Sequence, residues 1–168
     1  QRKYLQASVN FSMVKLNSFN IKNIHSRHFK MISELNLETK NILTQMGKTF
    51  LLKPYLWYTK SENLVLLKTR ISPFYLNPIE FGKQEIDSVV FVLPSSITLT
   101  NVPLPALLET KFGTYRAEVM LKGKNLIYYR KLVLKDGLFA ATDYKQWIEF
   151  NKKIDKLDRV EISLTKLE

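Results

Sequence analysis

The sequence contains no cysteine, and that absence closes off several chemistries at once. Disulfides, thiolate metal sites and a cysteine nucleophile are all excluded within these 168 residues. A papain-type constellation therefore cannot be assembled from this stretch alone. Histidine is nearly as scarce, with only His25 and His28. Their H-x-x-H spacing lies in a polar stretch without a third ligand, and i,i+3 aligns two rings on a helix less well than i,i+4 does. They read as surface or turn residues, and no metal site is expected. No G-x-S-x-G elbow, phosphate-cradling glycine loop or dinucleotide fingerprint is present. Glu80, Glu85 and Asp87 could be imagined as a glycosidase pair, but sequence spacing alone supplies no carboxylate geometry. The expectation is no catalytic residue, no cofactor and no enzyme activity in this segment.

Long hydrophobic runs are missing too. No apolar stretch approaches the roughly 20 residues that cross a bilayer, so no membrane span is expected. No signal peptide is legible, and the chain starts at Gln1 rather than at a methionine. A segment of a longer protein is the expectation, with any targeting signal outside it. Glycine is sparse, and Gly47, Gly82, Gly113, Gly123 and Gly137 all fall between the expected elements. That is the punctuation of short strands joined by turns.

Acidic residues are outnumbered, 15 against 26 Lys and Arg, for a net charge of +11. Residues 1–60 carry ten Lys/Arg against Glu34 and Glu38, and residues 111–135 carry seven against Glu118. A basic surface attracts nucleic acid, anionic lipid or acidic glycan. Charge balance speaks to solubility first, so a solvated lysine-rich surface is preferred and nucleic acid is disfavoured as a partner.

What the chain does have is apolar and aromatic content, 45% and 12%, enough for a packed core. Leu5, Val9, Met13 and Leu16 stand at helical spacing and predict a short amphipathic helix over residues 2–16. Alternation around Phe19, Ile21, Met31, Leu35 and Leu37 predicts strands between residues 18 and 37. Residues 41–47 read as a loop, with Gly47-Lys48 turning into a strand over 49–52 that Pro54 ends or marks as an edge. Tyr55, Trp57 and Tyr58 form an aromatic cluster. They suit a stacking platform for a sugar or base, or, more commonly, strand residues facing a core. A strongly apolar strand over 64–71, a proline-rich loop over 72–83 and a buried strand over 86–93 follow, then shorter strands at 97–102 and 107–110.

The most informative stretch runs from Gly113 to Leu164. A two-residue turn at Gly123-Lys124, type II′ by its leading glycine, sets Leu121 opposite Leu126, Val119 opposite Tyr128, Ala117 opposite Arg130 and Tyr115 opposite Leu132. That face is apolar except for Arg130, which is either buried against a carboxylate or snorkels past the sheet edge. A helix over about 143–157 follows, capped by Thr142 or Asp143, with Tyr144, Trp147, Ile148, Phe150, Ile154 and Leu157 on one stripe. Such a stripe is core rather than a cofactor site. Val160, Ile162 and Leu164 close the chain as a strand. The expected fold is mainly β, an antiparallel β-sandwich with one C-terminal amphipathic helix across a sheet end or face. Its expected domain spans 48–168, after a lead-in from an upstream domain over 1–47, read as a helix plus strands of the same sandwich.

The order of these features resembles a known family. R-x-x-P at Arg70–Pro73, the strand ending at Leu93-Pro94, Leu104-Pro105, GTYRAEVMLKGKNLIYYRKLVL and D-Y-x-x-W-x-x-F from Asp143 are similar to the C-terminal β-domain of unknown function that follows the transglutaminase-like core in Gram-negative bacterial proteins. The resemblance covers roughly residues 48–166. It implies an exported protein, periplasmic or on the cell surface, whose papain-like core lies upstream and is this domain's partner in the same polypeptide. The Cys/His/Asp machinery would lie there, so no catalytic residue carries over. It implies a non-catalytic accessory domain packing on that core. The alternative is an independent glycan- or polyanion-binding module using Tyr55, Trp57, Tyr58 and the basic hairpin.

Overall fold

A computed structural model describes residues 14–22, 32–39, 42–56, 70–77 and 84–167. The chain divides into two compact units, Gln1–Thr44 with Leu56–Thr59, and Gln45–Tyr55 with Lys60–Glu168.

In the first unit, β1 (Val14–Lys22) and β2 (Ile32–Thr39) pair antiparallel, with a bulge between Leu16 and Ser18. Lys15 pairs with Glu38 and Lys22 with Glu34 across the ladder. The only two acids of the basic N-terminal third are thus matched to lysines. The helix expected over 2–16 lies mostly outside the described residues, but Val14, Lys15 and Leu16 belong to β1. Val14 and Leu16 also fit a two-residue period, which the bulge shifts by one residue to Phe19 and Ile21.

The second unit is mainly β, with antiparallel sheets and one late helix, as in a β-sandwich. One four-stranded sheet has the order β6-β10-β9-β8, from β6 (Gln84–Val92), β8 (Ala106–Thr110), β9 (Gly113–Lys122) and β10 (Asn125–Leu134). The other has the order β3-β4-β12-β7, from β3 (Leu43–Met46), β4 (Thr49–Leu52), β7 (Ile97–Asn101) and β12 (Ile162–Lys166). The boundary between units runs through β3. Two three-residue strands, β5 (Phe74–Leu76) and β11 (Gly137–Phe139), form a small ladder.

Several sequence expectations need correction. Residues 43–46, read as loop, form β3, because the Gly47-Lys48 turn pairs them with β4. Phe74–Leu76 within the proline-rich loop is a strand, its two outer side chains buried. The strand read as buried, β6, lies at a sheet edge and alternates strictly between half-buried and exposed positions. Its V-V-F-V run hides the alternation because both faces are apolar. The strand expected over 64–71 falls outside the described residues except for Arg70 and Ile71, which are not in a strand.

The β9–β10 register is the one the turn dictates, with Lys122 opposite Asn125 and Ala117 opposite Arg130. Gly123 has φ +60°, the left-handed geometry that a leading turn glycine supplies. Helix α1 (Tyr144–Asp158) follows a single 3-10 turn. Asp143 stands at its N-cap without a side-chain capping bond, and pairs with Lys111 instead. Trp147, Ile148, Phe150 and Ile154 bury against Tyr115, Ala117, Tyr128 and Leu134 of the β9–β10 inner face. Phe112 is the hub, with ring centroids 4.9 Å from Phe139 and 5.5 Å from Trp147. A helix stripe laid on a sheet face is how this chain closes its core.

Candidate functional site, a buried arginine between sheet and helix

The inner face of β10 carries Leu126, Tyr128, Arg130, Leu132 and Leu134 in alternation, so strand geometry alone points Arg130 into the core. Asp87 of β6 and Ala117 of β9 are its direct cross-strand neighbours. The small Ala117 leaves room for the guanidinium, and Glu85 lies two residues along β6 on the same face. On α1, the buried positions Trp147, Phe150 and Ile154 recur at 158, so the helix delivers Asp158 to the same place.

Arg130 is 1% exposed. Its Nε donates to Asp158 Oδ1 at 2.8 Å and its Nη2 to Asp158 Oδ2 at 3.1 Å, a two-pronged pairing. Its Nη1 donates to Glu85 Oε2 and Asp87 Oδ2, both at 3.0 Å. The Tyr115 hydroxyl donates to Asp158 Oδ1 at 2.7 Å. The guanidinium carbon stands 4.6 Å from the centre of the Tyr55 ring and 5.6 Å from that of Tyr115. Asp158 closes the C-terminal turn of α1, where the helix dipole disfavours a carboxylate. The arginine supplies the compensating charge.

Burial alone would depress the Arg130 pKa, but the hydrogen bonds and charge of Asp158 outweigh it and hold the guanidinium above its ordinary value. Burial raises the Asp87 carboxyl above its usual range, and Arg130 only partly offsets it. The Tyr55 phenol is pushed up to about 12, again by burial. Burial, seconded by the charge of Asp158, lifts Tyr115 and Tyr128 further still. The Tyr128 hydroxyl lies near enough to Tyr115 to feel it, yet has no hydrogen-bond partner of sound geometry. The Tyr128 residue also lines a cavity of about 30 Å³ with Pro54, Pro103 and Leu157, a volume on the scale of water rather than of a ligand.

The aromatic cluster read from the sequence is changed by this geometry. Tyr55 is 7% exposed and covers Arg130, so it presents no platform to solvent. Trp57, Tyr58, His25, His28 and Glu80 lie outside the described residues. Sequence reasoning singled out Arg130 but not its partners. Asp158 was legible in principle, four residues beyond Ile154 on the core stripe, and Asp87 shares the inward parity of β6. Chemically, the cluster is a charge clamp. Four guanidinium hydrogen bonds are occupied by three carboxylates of the same chain, and only Glu85 reaches substantially into solvent.

Residues 48–164 match the model of a family described as a domain of unknown function with solved-structure structure (DUF3858). No curated protein matches the chain. No solved structure matches it.

Proposed function

The chain belongs to the DUF3858 family, and from that premise we propose that it is a non-catalytic accessory domain of a transglutaminase-like, exported bacterial protein. In this reading it packs on the papain-like core encoded upstream and positions it. The observation that carries the proposal is the Arg130 clamp. The most elaborate polar cluster among the described residues directs its donors inward, joining α1 to the sheet, and offers no unpaired nucleophile or acid–base couple to a substrate. Such a cluster serves shape rather than turnover. The sequence resemblance supplies the partner and the compartment.

The test uses the full-length parent and the same protein cut before residue 45. Hydrogen exchange should show surface on the core protected only when this domain is present, and the core's melting temperature should fall on its removal. Identical exchange and melting in the two forms would sink the proposal. The glycan-binding alternative draws on Tyr55, Trp57, Tyr58 and the basic hairpin, and the burial of the Tyr55 ring removes one contributor from it.

A further inference from the structure

An unpaired strand edge offers its N–H and C=O groups to any other strand, and proteins blunt such edges with short length, proline, lysine, bulges or unpaired inward-pointing charges. Most sheet edges of the second unit carry such a device. β8 has five residues and follows Pro103 and Pro105. β3 has four, and the β7 ladder has a register irregularity at Ser163/Leu164. β6 differs. Its nine residues pair with β10 without a register shift and include no proline, lysine or arginine, and its two inward-pointing acids, Glu85 and Asp87, are already paired with Arg130 of the same chain. Among the described residues, no strand pairs with its other edge. Ile86, Val90 and Val92 on its outer face are 52%, 53% and 74% exposed.

We infer that β6 is a self-association edge, on which the β6 strand of a second copy of this chain adds antiparallel about a two-fold axis at Ser88. The strand is complementary to itself in that register. With Ser88 opposite Ser88, Ile86 faces Val90 and Gln84 faces Val92 on the outer side. Glu85 faces Phe91 and Asp87 faces Val89 on the inner side. No like charges stand directly opposite; the two Asp87 residues are diagonal neighbours on the inner side, and both acids already accept from Arg130 of their own chain. Val90 is also in line with Ile127 and Met120, so the apolar row Met120–Ile127–Val90 continues into Ile86 of the second copy. The chain's net charge of +11 opposes association elsewhere, but this edge bears no cation. The result is an eight-stranded antiparallel sheet, independent of any role of the domain beside an enzyme core.

The experiment uses the 168-residue chain, whose lack of cysteine gives clean single-cysteine variants. Opposed antiparallel residues have Cα atoms about 4.5–5.5 Å apart, within the range a disulfide spans. Ser88→Cys should cross-link to a dimer under mild oxidation far faster than Thr98→Cys, an exposed control on β7. Sedimentation should show a concentration-dependent dimer for the unmodified chain. Ile86→Lys with Val90→Lys sets lysine opposite lysine and should weaken it at least roughly tenfold. Ile86→Lys with Val90→Glu sets lysine opposite glutamate and should restore it. Both pairs sit on an exposed face, so melting temperatures verify that each variant is folded. A monomer at every soluble concentration, equal cross-linking of the two cysteine variants, or equal behaviour of the two double variants overturns the inference.

Discussion

A guanidinium almost out of contact with water must have its charge matched locally, and Arg130 is matched mainly by Asp158. Arg130→Met leaves Asp158 buried at the helix C-terminus with only the Tyr115 hydroxyl, and should cost about 3–5 kcal/mol in chemical denaturation. Asp158→Leu alone should cost less, because Nη1 of Arg130 keeps Glu85 and Asp87, and the double variant should recover much of the Arg130→Met loss by removing the carboxylate that variant leaves buried and unpaired. Additive losses in that cycle would show that the two residues do not depend on each other. Asp87 behaves differently. Its carboxyl is raised in the folded state, so the native protein binds that proton more tightly than the unfolded chain does. Its contribution to stability therefore falls as pH rises from the ordinary carboxylate range through the raised folded value. Asp87→Asn still offers Nη1 an acceptor oxygen, should cost little at neutral pH, and should remove that slope from a pH series of unfolding free energies. An unchanged slope would remove Asp87 from the account.

At the scale of elements, two glycines separate steric demand from backbone demand. An added Cβ at Gly113 would stand 2.1 Å from the Val133 carbonyl oxygen, within the paired backbone of β10. No side chain can swing aside there, so Gly113→Ala should destabilise by several kcal/mol or prevent folding. A Cβ at Gly123 would meet nothing within 4 Å, leaving only the cost of φ +60° for a residue with a side chain. Gly123→Ala should lose about 1 kcal/mol, and equal losses at the two positions in thermal melts would refute the distinction. These elements were also the legible ones. The Gly123 turn fixes hairpin register by local geometry, and the aromatic stripe of α1 fixes its buried face by period, so both could be read from adjacent residues. β3, β5 and β11 could not. They are four residues or fewer and carry no pattern of their own: β5 and β11 exist because each pairs with the other across the chain, and β3 because the Gly47-Lys48 turn folds it onto β4. Asp158 was hidden for a related reason. A carboxylate ending an apolar stripe reads as the wet end of the helix until an arginine from another element is known to sit beneath it.

At the scale of the molecule, the partition into units carries its own consequence. The aromatic hub at Phe112, the Arg130 clamp and both four-stranded sheets are built from residues after 42, and the family match begins at 48. The N-terminal unit contributes its own β1–β2 ladder, matched by its own Lys–Glu pairs. A chain starting at Gln45 therefore keeps the core cluster of buried aromatic and aliphatic residues, and keeps the sole described helix together with the strands it covers. It loses the first two residues of β3, an edge strand, which costs ladder bonds but no residue of the core cluster. Residues 45–168 should accordingly unfold in a single cooperative transition, with near-ultraviolet dichroism retained from the packed Trp147 and Phe112 rings. The Arg130→Met penalty should be the same in this shorter chain as in the full one, since each clamp partner lies beyond residue 84 apart from Tyr55. A shorter chain that is molten, with far-ultraviolet signal but no near-ultraviolet signal, would mean that the first unit completes the core.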